Sequence, residues 1–103
     1  MAHKGIDIRG EFGEPVVATN NGVVVYAGSG LIGYGNLIIL KHNERYLSAY
    51  GHNSRLLVAE GQRVKAGEQI AEIGDSGTDF AKLHFEVREY GRPVDPIALL
   101  PRR

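Results

Sequence analysis

The chain contains no cysteine. Disulfides and thiolate metal sites are thereby excluded, histidine and carboxylate remain as metal ligands, and the redox compartment is undetermined. Net charge is missing too: twelve basic residues balance twelve acidic ones. That balance removes the sequence-independent attraction to nucleic acid and to anionic lipid. No apolar run approaches the roughly 20 residues a bilayer span needs, and the start carries no signal-peptide pattern. A soluble domain is expected, with no nucleic-acid partner and no membrane contact of its own. No segment sustains apolar spacing at 3.6 residues, and interior glycines cost a helix about 1 kcal/mol each. Internal repeats, linkers and low-complexity tracts are also lacking.

What the sequence has in quantity is glycine: fourteen in 103 residues. They separate apolar stretches such as Val16-Val17-Ala18, Val23-Val24-Val25-Tyr26, Leu37-Ile38-Ile39-Leu40 and Tyr46-Leu47-Ser48-Ala49-Tyr50, a spacing that reads as strands. Asn21-Gly22 lies between two such stretches and predicts a type I′ hairpin, since both residues tolerate positive φ. Residues 62–74 nearly alternate, with glycines inside and at the end, and predict two short strands around a turn. Leu83-His84-Phe85-Glu86-Val87-Arg88 alternates cleanly, so Leu83, Phe85 and Val87 face one side and His84, Glu86 and Arg88 the other. Only the tail has helix signals: Asp95 as N-cap, Pro96 at the first position, then Ile97-Ala98-Leu99-Leu100 before Pro101, enough for one turn. The length suits one domain, residues 1–103, burying roughly two thirds of its unfolded surface. The predicted class is all-β, a small antiparallel sandwich or barrel. The abrupt start suggests a domain excised from a longer secreted or membrane-anchored protein, and it makes Met1, Ala2 and even His3 suspect as non-native residues.

His3 and Asp7, four apart with Gly5 between them, can project to one face of a strand, and imidazole with carboxylate suits zinc. His84 would be a third ligand, leaving a fourth position for water, the pattern of catalytic zinc. Two histidines and an aspartate also arise easily by chance in a chain of this length. His42 reads as a surface residue at a strand end, without a role. His52 follows an apolar strand and either holds a turn or faces a cleft. Tyr26 and Tyr90 read as packing or surface residues.

The ordered motifs resemble those of the lysostaphin/LytM zinc endopeptidases along essentially the whole chain. His3-Lys4-Gly5-Ile6-Asp7-Ile8 is similar to the first motif of that family and Gly13-Glu14-Pro15-Val16-Val17-Ala18 to the stretch after it. Gly33-Tyr34-Gly35-Asn36, Tyr50-Gly51-His52, residues 61–71, Leu83-His84-Phe85-Glu86-Val87-Arg88 and Gly91-Arg92-Pro93-Val94-Asp95-Pro96 continue the likeness. The resemblance implies a LytM-type fold and zinc ligands at His3, Asp7 and His84. It also implies two catalytic histidines, one matched by His52 and the other replaced by Lys82. A neutral imidazole, with a pKa of about 6.5, accepts a proton near neutral pH, whereas lysine at about 10.4 is already protonated. The replacement therefore implies a catalytically impaired member, with zinc occupancy open.

Degenerate members of the family include the NlpD-type lipoproteins, which resemble this chain in Gly33-Tyr34-Gly35-Asn36-Leu37-Ile38-Ile39, Tyr46-Leu47-Ser48-Ala49-Tyr50 and Leu83-His84-Phe85-Glu86. That likeness implies a periplasmic, lipoprotein-borne activator of an N-acetylmuramoyl-L-alanine amidase in septal peptidoglycan splitting. The former substrate groove would become a docking surface, with Lys4, Asp7, Tyr34, Tyr50, His52, Lys82 and Arg88 as binding groups. Tyr34 stands out because two flanking glycines would expose its ring. The rivals are an active zinc endopeptidase that cleaves peptidoglycan peptides and a peptidoglycan-binding module without an amidase partner. A remote third, a lipoyl- or biotinyl-carrier hairpin around Gly67, lacks the Met-Lys tip.

Overall fold

The computed structural model describes residues 5–95. In chain order the strands are β1 (Ile6–Arg9), β2 (Pro15–Val17), β3 (Gly22–Gly28), β4 (Asn36–Lys41), β5 (Tyr46–Leu56), β6 (Arg63–Val64), β7 (Gln69–Ile73), β8 (Lys82–Glu89) and β9 (Arg92–Val94). Every pairing is antiparallel. The all-β class read from the sequence is the class observed, and no helix occurs among the described residues. The strands join one unclosed sheet in the order β1-β8-β5-β4-β3-β6, with β7 on β5, β2 on β7 and β9 on β8. The expected C-terminal helical turn falls on residues 96–100, outside the described residues.

β5 organises the molecule. Its first half, Tyr46 to Gly51, pairs with β8 and its second half, Asn53 to Leu56, with β7. Between the halves His52 adopts φ 66°, an uncommon conformation for a residue with a side chain. The two tightest backbone approaches need glycine. A Cβ at Gly5 would lie 2.3 Å from the Phe85 carbonyl oxygen, so bare backbone lets β1 close against β8. At Gly35, φ is 62° and a Cβ would lie 2.1 Å from the Ser76 carbonyl oxygen.

The core lies on one sheet face. Ile38, Leu40, Tyr50, Ile70 and Phe85 are buried there with Val16, Val24 and Ala71. Alternation sends Leu37, Ile39 and Lys41 to the opposite face.

Two sequence expectations change. Asn21-Gly22 is not a hairpin turn: β2 pairs with β7 and β3 with β4 and β6, and neither residue has positive φ. Instead Asn21 Oδ1 accepts the Ala66 amide at 2.8 Å. The two strands of residues 62–74 do form around Gly67, but β6 pairs with β3 and β7 with β2 and β5, so each serves a different neighbour.

Candidate functional site

The β1–β8 register sets Asp7 opposite His84 and Arg9 opposite Lys82. Directly paired residues share a face about 5 Å apart, so the two motif residues meet despite the 77 positions between them. Asp7 Oδ1 lies 2.7 Å from His84 Nδ1, and Asp7 Oδ2 accepts from the Lys82 ammonium at 3.3 Å. On the far side of the ring, His84 Nε2 lies 2.8 Å from Glu86 Oε2. Arg88 Nε then donates to Glu86 Oε1 at 3.0 Å, and Arg88 Nη2 to the Tyr34 hydroxyl at 3.4 Å.

Charges of alternating sign therefore run Lys82, Asp7, His84, Glu86, Arg88 along one face. Glu86 is fully buried, and a buried carboxylate needs such partners because lost hydration is costly. The hydrogen bond to Glu86 raises the His84 pKa above its ordinary value; burial opposes this and Asp7 reinforces it. With a carboxylate on each side, the protonated ring donates from both nitrogens and the neutral ring from one. Burial pushes Asp7 upward, but hydrogen bonds from His84 and Lys82 outweigh it and leave the carboxyl lowered. Glu86 is likewise lowered: its burial is outweighed by His84, Tyr34 and Arg88.

Lys82 is held by more than Asp7. Its ammonium sits 4.6 Å from the centre of the Phe80 ring, and the Arg9 guanidinium lies 5.3 Å from the same ring. Cations stack favourably on aromatic faces at such distances.

His52 and Tyr34 complete the pocket. His52 is buried, and its amide donates to the Tyr34 carbonyl at 2.7 Å. Its Nδ1 lies 2.7 Å from the Ser76 carbonyl; a carbonyl only accepts, so Nδ1 carries the proton, leaving Nε2 without one in the neutral ring. The His52 and His84 ring centres are 6.0 Å apart. Tyr34, between two positive-φ glycines, is half-buried and packs 5.7 Å from the His84 ring, less exposed than its glycine setting suggests. Asp7, Ile32, Gly33, Tyr34, His52 and His84 line a pocket of about 250 Å³.

Of the expected zinc ligands and groove residues, Asp7, Tyr34, His52, Lys82, His84 and Arg88 converge here. His3 and Lys4 fall outside the described residues. Tyr50 does not belong: it is 1 % exposed on the core face, because β5 alternation turns it away from the groove. His42 also departs from its expected idleness. Its Nδ1 donates to the Asn21 carbonyl at 2.7 Å and its Nε2 lies 2.6 Å from Ser48 Oγ. Ser48 Oγ lies 2.8 Å from the Tyr50 hydroxyl, itself 2.9 Å from Thr19 Oγ1. This relay satisfies a buried serine and a buried tyrosine. Sequence reasoning passed over Glu86, Ser76, Phe80 and Ile32; only Glu86 had a signal, since alternation sets it on the face of His84.

Residues 1–96 match the profile of peptidase family M23. This chain is an M23 domain. It is 66 % identical over 101 residues to the lipoprotein NlpD/LppB homolog of Pseudomonas aeruginosa, covering 98 % of this chain and 34 % of that protein. It is 56 % identical over 101 residues to the murein hydrolase activator NlpD of Escherichia coli K12, covering 98 % of this chain and 27 % of that one. The M23 domain thus spans about a third or less of these relatives. Among solved structures, the catalytic domain of lysostaphin from Staphylococcus simulans superposes with a TM-score of 0.87 at 31 % identity, over 93 % of this chain and 77 % of that one. A zinc-containing peptidase from Vibrio cholerae superposes with a TM-score of 0.84 at 38 % identity, over 89 % of this chain and 28 % of that one.

Zinc would need a third protein ligand besides Asp7 and His84, and the expected one, His3, lies outside the described residues. The M23 domain brings Asp7 and His84 together, yet the carboxylate is engaged by the Lys82 ammonium and by His84, whose other nitrogen lies against Glu86. Zinc takes a deprotonated imidazole nitrogen. Among the described residues no group of three His, Asp or Glu side chains could hold a metal.

Proposed function

We propose that this domain is a non-catalytic regulator which docks on a periplasmic N-acetylmuramoyl-L-alanine amidase and activates it in septal peptidoglycan splitting. In the full-length protein the domain is carried by an outer-membrane lipoprotein. The observation that carries this reading is the Lys82 ammonium on Asp7 Oδ2. Activating water needs a proton acceptor, and at Lys82 the chain supplies a cation already committed to the carboxylate. A single imidazole with an open nitrogen, His52, remains in the pocket.

Relatives named as a murein hydrolase activator and as lipoproteins support the regulatory role and the envelope location. Tyr34, His52, Lys82 and Arg88 around an open pocket supply the tyrosine and basic groups from which interface anchors are drawn. Activation follows if the domain binds the open form of the amidase better than the closed form, since only differential affinity shifts a population.

The test is release of dye from labelled murein by amidase alone, domain alone and both together, with zinc added or the domain stripped by a chelator. Stimulation by the mixture, unchanged after stripping, is expected, with no release by the domain alone. Clearing by the domain alone, abolished in His84→Ala, would establish an active zinc endopeptidase instead. Retention on sacculi without stimulation would establish a wall-binding module.

A further inference from the structure

The face that carries the pocket continues well beyond it. Directly paired residues point the same way, and the register sets Arg63, Val23, Lys41, Leu47 and Arg88 in one row across β6, β3, β4, β5 and β8. Along this face, Leu31, Ile39 and Leu47 line an apolar pocket of about 200 Å³, which shares Tyr34 with the polar one. Further out, Lys41, Arg63, Lys65 and Glu68 border an open depression of about 440 Å³.

At that outer end three cations, Lys41, Arg63 and Lys65, stand with one lining carboxylate, Glu68. Glu68 Oε1 is taken by the Lys65 amide at 3.0 Å. Lys41 pairs at 3.2 Å with Glu44, whose side chain is 93 % exposed, a pair of small worth. Neither Arg63 nor Lys65 forms an ion pair among the described residues. Lys41 and Arg63 flank Val23 on adjoining strands, so their backbones stand two strand spacings, about 10 Å, apart. Two carboxylates on one chain segment can meet the two cations separately.

Resting on the activator reading, we infer that the partner hydrolase lays an acidic amphipathic segment along this strip. An aliphatic side chain enters the pocket beside Tyr34, and carboxylates lie over Lys41 and Arg63. Charge complementarity fixes the sign of the partner, and the apolar pocket between the cations and Tyr34 fixes its amphipathic character.

The test is the double variant Lys41→Glu/Arg63→Glu. Both side chains are exposed. Lys41 pairs with Leu47 and His84 with Gly51, four residues or about 13 Å further along β5, so the polar pocket is left intact. Binding of the purified amidase to the immobilised chain is measured by surface plasmon resonance at about 50 mM and about 500 mM salt, with a melting curve to confirm folding. At low salt the dissociation constant should rise roughly tenfold, mostly through slower association, and the difference should shrink at high salt. Lys41→Gln/Arg63→Gln should fall between. Unchanged affinity, or an equal loss at both salt concentrations, overturns the strip while leaving the activator reading in place. So does a double variant that loses only its adhesion to phosphatidylglycerol vesicles, which would mark the row as a lipid contact. An unaltered chain that binds no amidase overturns both.

Discussion

Strands β4, β5 and β8 present two faces of opposite chemistry. Behind them Ile38, Leu40, Tyr50 and Phe85 are between 0 % and 8 % exposed and hold together by apolar burial and ring packing, Tyr50 against Phe85 at 5.5 Å. In front, Lys82, Asp7, His84, Glu86 and Arg88 hold together by shared protons and alternating charge. The contrast teaches that a strand of eight residues can serve stability with one set of side chains and recognition with the next. The front face buries apolar residues such as Leu37 and Ala49 as well, but the back face supplies most of the apolar burial. The front face needs every carboxylate to be shared, since each is partly or wholly removed from water.

The largest expected effect lies on the back face. Phe85→Ala removes a buried ring and should lower unfolding free energy by about 3–5 kcal/mol, measured by urea denaturation. A loss under about 1 kcal/mol would mean that Phe85 is not core. Next comes the front face: Glu86→Ala strips the shared carboxylate from both His84 and Arg88 and should cost about 3 kcal/mol, the lower end for breaking a buried pair because Arg88 is partly exposed. If Glu86→Ala proved as mild as a surface change, the charged chain would be ornament and the two faces would not differ in the way described.

The back face was legible in the sequence because alternation encodes it directly. Leu83-His84-Phe85-Glu86-Val87-Arg88 announces both faces of β8 without further information. The meeting of Asp7 with His84 was legible only through motif resemblance, since no spacing rule joins residues 77 apart. Tyr50 was misplaced for a related reason. Its motif neighbours Gly51 and His52 lie by the pocket, but strand alternation overrides sequence proximity and sends its ring to the core. Asn21-Gly22 misled because a turn dipeptide states what backbone is tolerated and not which strands pair. The His42 relay was invisible, as it joins the connection that holds Thr19 and Asn21 to Ser48 and Tyr50 of β5, which no sequence spacing links.

The smallest effect is the one most specific to the comparison, because pH reads the charged face through its own titrating groups. The bond to Glu86 raises the His84 pKa, so this residue contributes stability fully present below its ordinary 6.5 and lost as pH rises through the raised value. Asp7 and Glu86, lowered despite burial, contribute stability present above their ordinary 3.8 and 4.5 and lost as pH falls through the lowered values. Melting temperature should therefore be highest between those carboxylate values and 6.5, and should decline on the alkaline side. In His84→Gln the alkaline decline should flatten, because the titrating ring is gone. Phe85→Ala should displace the whole curve downward without changing its shape, since the lost ring carries no titrating group. Melting curves recorded from about pH 4 to about pH 9 in all three proteins decide the matter. A midpoint that climbs steadily through neutrality in the unaltered chain would show that His84 is not held between two carboxylates, and the charged face would have to be redrawn.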